Sequence, residues 1–165
     1  MPMLPEINTI VYATTLGKNT RPVFRHAVNL ARQYKARIIM VHALEPVSEF
    51  GHAIIEHYLP KEALEEIHDQ GMTRIRDTMQ ARVAKFRDEE LDGLPDAGEL
   101  DVQILVDEAN PAELVLRVAK TEQADLIVIG SHSHHGLFGQ KLLGDTAQQI
   151  GMHTKIPVLM VPNDQ

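Results

Sequence analysis

Residues able to do chemistry cluster late in this chain, between Leu126 and Val161. The apolar run Leu126-Ile127-Val128-Ile129 leads straight into Gly130-Ser131-His132-Ser133-His134-His135-Gly136. Leu142-Leu143-Gly144-Asp145-Thr146 then makes a small-residue turn that opens a short helix, and a second apolar run extends from Ile156 through Val161. Glycines let backbone N–H groups approach an anion closely, and the first N–H groups of a helix have no partner inside it. A polar loop at the carboxyl end of a parallel strand, beside a helix start, therefore suits an anion, phosphate above all. On this reasoning the two turns face each other across one crevice, walled by Gly130, Gly144, Asp145 and Thr146.

The same stretch offers other chemistries. His132, His134 and His135, with His153 further on, suggest zinc, nickel or copper, which neutral imidazoles bind well. No cysteine and no closely spaced carboxylate accompanies them, so a solvated loop is the reading adopted and no metal ligand is assigned. Histidines so close together would also make the loop responsive near about pH 6–7. Ser131 and Ser133 adjoin histidines, but a hydrolytic triad needs nucleophile, base and orienting acid in mutual reach. No nucleophile elbow is present, and no catalytic residue is assigned. Asp145-Thr146-Ala147-Gln148 reads as a capping box, its carboxylate accepting from first-turn N–H groups. The alternative for Asp145 is a divalent cation that bridges it to a phosphate, which the bare carboxylate would repel.

These residues need a scaffold, and hydrophobic periodicity supplies one. Residues 7–15 and 37–44 read as strands one and two, 102–106 as strand three, 126–129 as strand four and 156–161 as strand five. Thr20 and Pro22 open a helix whose apolar face is Val23, Ala27, Leu30, Ala31 and Tyr34. Residues 46–60 have no clear period and form an excursion. A long charged helix follows over 61–90, with the stripe Met72, Ile75, Met79, Val83 and Phe86 and a weak point at Gly71. Residues 92–98 are a loop. Asn110-Pro111-Ala112-Glu113 starts the next helix with a capping side chain, a first-turn proline and a favourably placed acid. Leu114, Val115, Val118 and Ala119 form its buried face, and residues 145–153 make the last helix. Right-handed crossovers turn this alternation into a five-stranded parallel sheet between helices.

With 165 residues, one domain spanning 1–165 is expected, burying roughly 70% of its unfolded surface. The net charge of −7, with Lys and Arg scattered among acids, argues against nucleic acid as a partner. Absent cysteine removes disulfide and thiolate chemistry and suits a reducing compartment. Neither a signal-like N-terminus nor an apolar run near the roughly 20 residues of a membrane span is present. The expectation is a cytoplasmic protein without a membrane partner.

This order of segments resembles the universal stress protein family over nearly the whole chain. The likeness is carried by Ile10-Val11-Tyr12-Ala13-Thr14-Thr15, by Val41-His42-Ala43, by Asn110-Pro111-Ala112-Glu113, by the run from Ala124 to His132, by Leu142-Leu143-Gly144, and by Ile156-Pro157-Val158-Leu159-Met160-Val161. It implies a Rossmann-like three-layer α/β/α sandwich with strand order 3-2-1-4-5. It also implies a homodimer in which strand five, Ile156 to Val161, pairs antiparallel with its symmetry mate; such pairing would satisfy an apolar edge that otherwise invites aggregation. Members that bind ATP carry a signature of Gly, two residues, Gly, nine residues, Gly, then Ser or Thr. Here Gly130 and Gly144 take the first and last glycine positions, Ser133 stands at the second, and ten residues separate Ser133 from Gly144. Asp145, followed by Thr146, takes the hydroxyl position, and Thr15 stands where ATP-binding relatives have an aspartate. The nucleotide site so implied comprises Ala13, Thr14, Thr15, Ala43, Ile129, Gly130, Ser133, Gly144, Asp145 and Thr146, with ATP and magnesium as its cofactors. His42 is expected to be a half-buried structural residue.

Two functions follow from the resemblance. One is a homodimer acting in the stress response as a non-catalytic interaction or regulatory module, whose 46–60 segment and charged helix meet an unidentified protein partner. The other is an ATP-binding regulator, at most a slow ATP hydrolase, in which nucleotide orders the 130–146 loop. The departures at Ser133 and Asp145 and the extra loop residue favour the first.

Overall fold

The computed structural model describes residues 3–14, 19–45, 57–132, 134–135, 138 and 141–163. Strand β1 (Thr9–Ala13), helix α1 (Arg21–Tyr34), β2 (Arg37–Leu44), α2 (Lys61–Leu91), β3 (Val102–Glu108), α3 (Pro111–Thr121), β4 (Leu126–Gly130), α4 (Asp145–His153) and β5 (Val158–Val161) follow one another. The five strands form one parallel sheet in the order β3-β2-β1-β4-β5. That is the expected Rossmann-like α/β arrangement. Ile10 is paired with both Ile38 and Leu126, and Gly130 lies opposite Val161.

Side-chain alternation splits the core into two layers. Ile10, Tyr12, Ile38 and Met40 pack with α1 and α2, whereas Val11, Ile39, Ile127 and Ile129 pack with α3 and α4. Phe24 of α1 joins the first layer together, its ring 5.2 Å from Tyr12 and 5.5 Å from Phe86 of α2. Burial pushes the Tyr12 phenol up to about 12.

Several boundaries and faces differ from the sequence expectation. β1 starts at Thr9, not residue 7, because the Asp125 carboxylate accepts from the Asn8 and Thr9 N–H groups at 2.8 and 3.0 Å and takes the place of a ladder there. β5 starts at Val158, not Ile156, since Ile156 is tied into a turn by the Thr154 hydroxyl. β3 runs on to Glu108 and α2 passes through Gly71 without a break. In α1 the buried stripe is Val23, Phe24, Ala27, Val28 and Ala31. Tyr34, one turn beyond it, is 51% exposed.

The inner face of α2 follows Met72, Met79, Val83 and Phe86 as expected, but Ile75 is 48% exposed. Arg76 turns to the sheet instead, reaching Asp107 at 3.3 Å. The stripe also carries polar ends: His68 meets Glu108 at 3.2 Å, and the buried Glu90 carboxylate meets Arg21 and Arg25 at 3.3 and 2.7 Å. Asn110 caps α3 as its sequence demands, accepting from Ala112 and Glu113 N–H at 3.0 and 3.3 Å.

Candidate functional site

The carboxyl end of β4 and the start of α4 do meet. Gly144 N–H donates to Ser131 O at 3.0 Å, and a Cβ built on Gly144 would lie 2.9 Å from His132 Cβ. A two-residue antiparallel ladder explains the approach: His134 pairs with Leu142 and His135 with Lys141. Carried two residues toward the base, the same register sets His132 opposite Gly144. The loop between them is thus a hairpin, a feature that residue spacing alone does not reveal. Ser133, Gly136 and Gly139, and the side chains of the paired residues, lie outside the described residues.

Asn163, which sequence reasoning missed, is the anchor of this region. It follows β5, is only 5% exposed, and its Oδ1 accepts from His132 N–H at 2.8 Å. Its own N–H reaches Ser131 Oγ at 3.4 Å, while Ser131 N–H donates to Val161 O at 3.0 Å. The bond to Asn163 holds His132 in the left-handed region at φ 43, unfavourable for a residue with a Cβ. A Cβ on Gly130 would run into the Asn163 amide, 2.6 Å from its Cγ. The space that each signature glycine leaves is therefore filled from within the chain, at Gly130 by Asn163 and at Gly144 by His132. Asn163 Nδ2 is buried and has no acceptor among the described residues. Partial burial also holds the His132 imidazole below its usual pKa and keeps it neutral near pH 7.

Asp145 does not form the expected capping box. Gly144 occupies the N-cap, no side chain among the described residues caps the helix, and Asp145 is its first residue, exposed to solvent. A carboxylate at that position is favoured by the helix macrodipole without binding the first-turn N–H groups. Gln148 reaches back to the Leu143 carbonyl at 2.8 Å instead. The α4 N-terminus thus keeps N–H groups without a side-chain acceptor among the described residues, next to half-buried Gly144 and Thr146.

Behind this turn Ala13, Ala43 and Ile129 share the layer that faces α3 and α4, at the carboxyl ends of β1, β2 and β4. Ala13 and Ala43 are half-buried and form a small-residue shelf. Thr14 is not on it. Its hydroxyl bonds the Tyr12 phenol in the opposite layer, and its carbonyl accepts from His42 Nδ1–H at 2.8 Å. His42 is buried rather than half-buried, at 7% exposure. Thr15 lies outside the described residues, as does most of the 46–60 excursion. His153 Nδ1–H donates to Gln149 O within its own helix, and no three His, Asp or Glu among the described residues are grouped to hold a metal ion.

At the sheet edge β5 bonds β4 alone among the described residues, and Val158, Leu159 and Met160 are half-buried. No helix among the described residues is long and apolar enough to cross a membrane.

Comparison with known proteins bears on this geometry. The profile of the universal stress protein family matches residues 6–162. Universal stress protein A homolog 2 of Coxiella burnetii is 31% identical over 161 residues, covering 92% of this chain and 92% of that protein. Among solved structures, that of hypothetical protein MJ0577 superposes with a TM-score of 0.71 at 20% identity, covering 96% of this chain and 98% of the other. A universal stress protein solved in complex with cAMP gives a TM-score of 0.62 at 20% identity, with the same coverage.

Proposed function

We propose, because the chain belongs to the universal stress protein family, that it serves the stress response as a homodimeric, non-catalytic interaction module of the cytoplasm. The observation that carries this reading is the filling of both signature glycines by the chain's own atoms. A phosphate clamp of the signature type needs open backbone at Gly130 and Gly144; here Asn163 and His132 fill the side-chain space of the two glycines, and the Gly144 N–H is already given to Ser131 O. This use of the two glycines speaks against a triphosphate with magnesium, and no step is routed through one. For the dimer, the support is the apolar strand β5 with one side unpaired among the described residues. The charged outer face of α2, with Ile67 and Ile75 exposed among its charges, is the surface offered to a protein partner.

A second reading has its own observation. The uncapped start of α4 and the Ala13–Ala43 shelf together leave N–H donors beside a small-residue floor. A fold relative solved with cAMP makes a cyclic nucleotide a second probe alongside Mg-ATP. Both readings meet one experiment: native mass spectrometry of the purified protein, followed by calorimetric titration with Mg-ATP and with cAMP. The first reading expects a dimer without co-purified nucleotide and no heat at millimolar ligand. Saturable heat from either nucleotide would replace it with the second, and a monomer would end the dimer claim.

A further inference from the structure

We propose that the trough between the edge strand β3 and helix α3 is a separate binding site, for a small organic anion with an apolar body. The trough has a volume of about 570 Å³, inside the range of roughly 300–1,000 Å³ found for small-molecule sites. Its floor is apolar: Leu114 and Val118, one turn apart on α3 and buried, with Leu105 of β3. Its mouth is basic. Arg76 comes around the strand edge from α2 and Arg117 from α3, and both bond Asp107, at 3.3 and 3.0 Å.

Two guanidinium groups sharing one carboxylate keep about one unit of positive charge. Glu122, at the far end of the trough, is already paired with Arg37 at 3.0 Å, and Glu108 is not part of the trough lining. Arg76 Nε–H is shielded from solvent and has no acceptor among the described residues.

The strand itself adds polar groups. Asp101 O and Ala109 N–H bond β2, so the even-numbered residues of β3 turn their backbone groups to the open edge. Arg87 covers Val102 O, and the Asp107 carboxylate takes Glu108 N–H. Ile104 and Val106 are left facing outward beside the trough. A neutral apolar molecule would gain nothing from the two guanidinium groups at the mouth, and a cation would be repelled, so the arrangement selects an anion. The site lies at the opposite edge of the sheet from β5 and shares no residue with the crevice. It stands or falls independently of the proposed function.

The test uses sodium octanoate as the probe, titrated into the full chain and followed by proton–nitrogen correlation NMR, with 1-octanol as the uncharged control. Amide shifts should concentrate at Leu105, Leu114 and Val118, with octanol at least about tenfold weaker, the factor expected for a charged hydrogen bond. Arg76→Met should weaken octanoate about tenfold. Thr121→Trp, at an exposed position beside the trough, should block binding while the rest of the spectrum stays native. Shifts that scatter or fall on the 130–144 crevice, equal binding of octanol, or unchanged affinity in either variant would overturn the assignment.

Discussion

Gly130 and Asn163 behave as one unit, because the glycine's missing side chain is the space the amide fills. Gly130→Ala should therefore cost about 1–3 kcal/mol of stability from overpacking. Asn163→Ala should cost about 1–3 kcal/mol by leaving the buried His132 N–H without its acceptor. In the double variant the clash has no partner, so urea denaturation should give a sum well below additive; strict additivity would contradict the packing described. His132 adds a pH dependence. Its pKa is depressed by burial, so the folded state resists the proton that the unfolded state accepts near 6.5. Stability from this group is full above about pH 6.5 and declines as pH falls through the depressed folded value. His132→Asn, which suits a left-handed backbone, should flatten that acid-side decline, as read by denaturation midpoints at several pH values. Asn110 was readable as a cap because its neighbours announce a helix. Asn163 was not, since a polar residue near the end of the given sequence looks solvated until the strand before it is seen to carry it inward.

At the level of elements, periodicity located α2 and β2 to within a residue of their ends, because long runs average out local exceptions. It misjudged the centre of the α2 stripe. Ile75 is the apolar candidate, but the helix is rotated so that Arg76 reaches Asp107 and Glu90 reaches two arginines. Charge pairing at the ends of the stripe is compatible with this setting, and hydrophobicity alone could not foresee it. Val83→Ala should accordingly cost about 1–3 kcal/mol, whereas Ile75→Ala should stay within about 0.5 kcal/mol. Thermal melts of the two variants check the rotation, and equal losses would reverse it. The hairpin between β4 and α4 escaped for a different reason: two-residue ladders carry too few side chains to impose an alternation.

The whole molecule has two sheet edges, and their side chains treat them differently. β3 carries ionic cover from Arg76, Arg87 and Asp107, a device that discourages strand addition. β5 has Val158, Leu159 and Met160 without such cover among the described residues. Leu159→Asp should therefore convert the proposed dimer to monomer or to insoluble protein in light scattering; an intact dimer would exclude pairing along β5. Strand order was legible because crossover handedness leaves few alternatives. The state of the crevice was not, since it depends on which of the chain's own atoms fill it.

One proline separates Val161 from Asn163, and Asn163 grips the amide at the root of the hairpin. Should two copies join along β5, the seam between them and the hairpin would be geared together over three residues. Anything that tugged the hairpin would then be felt at the seam. Linkage demands reciprocity: a molecule tightening subunit association by some factor would itself be held tighter by the pair, by that same factor.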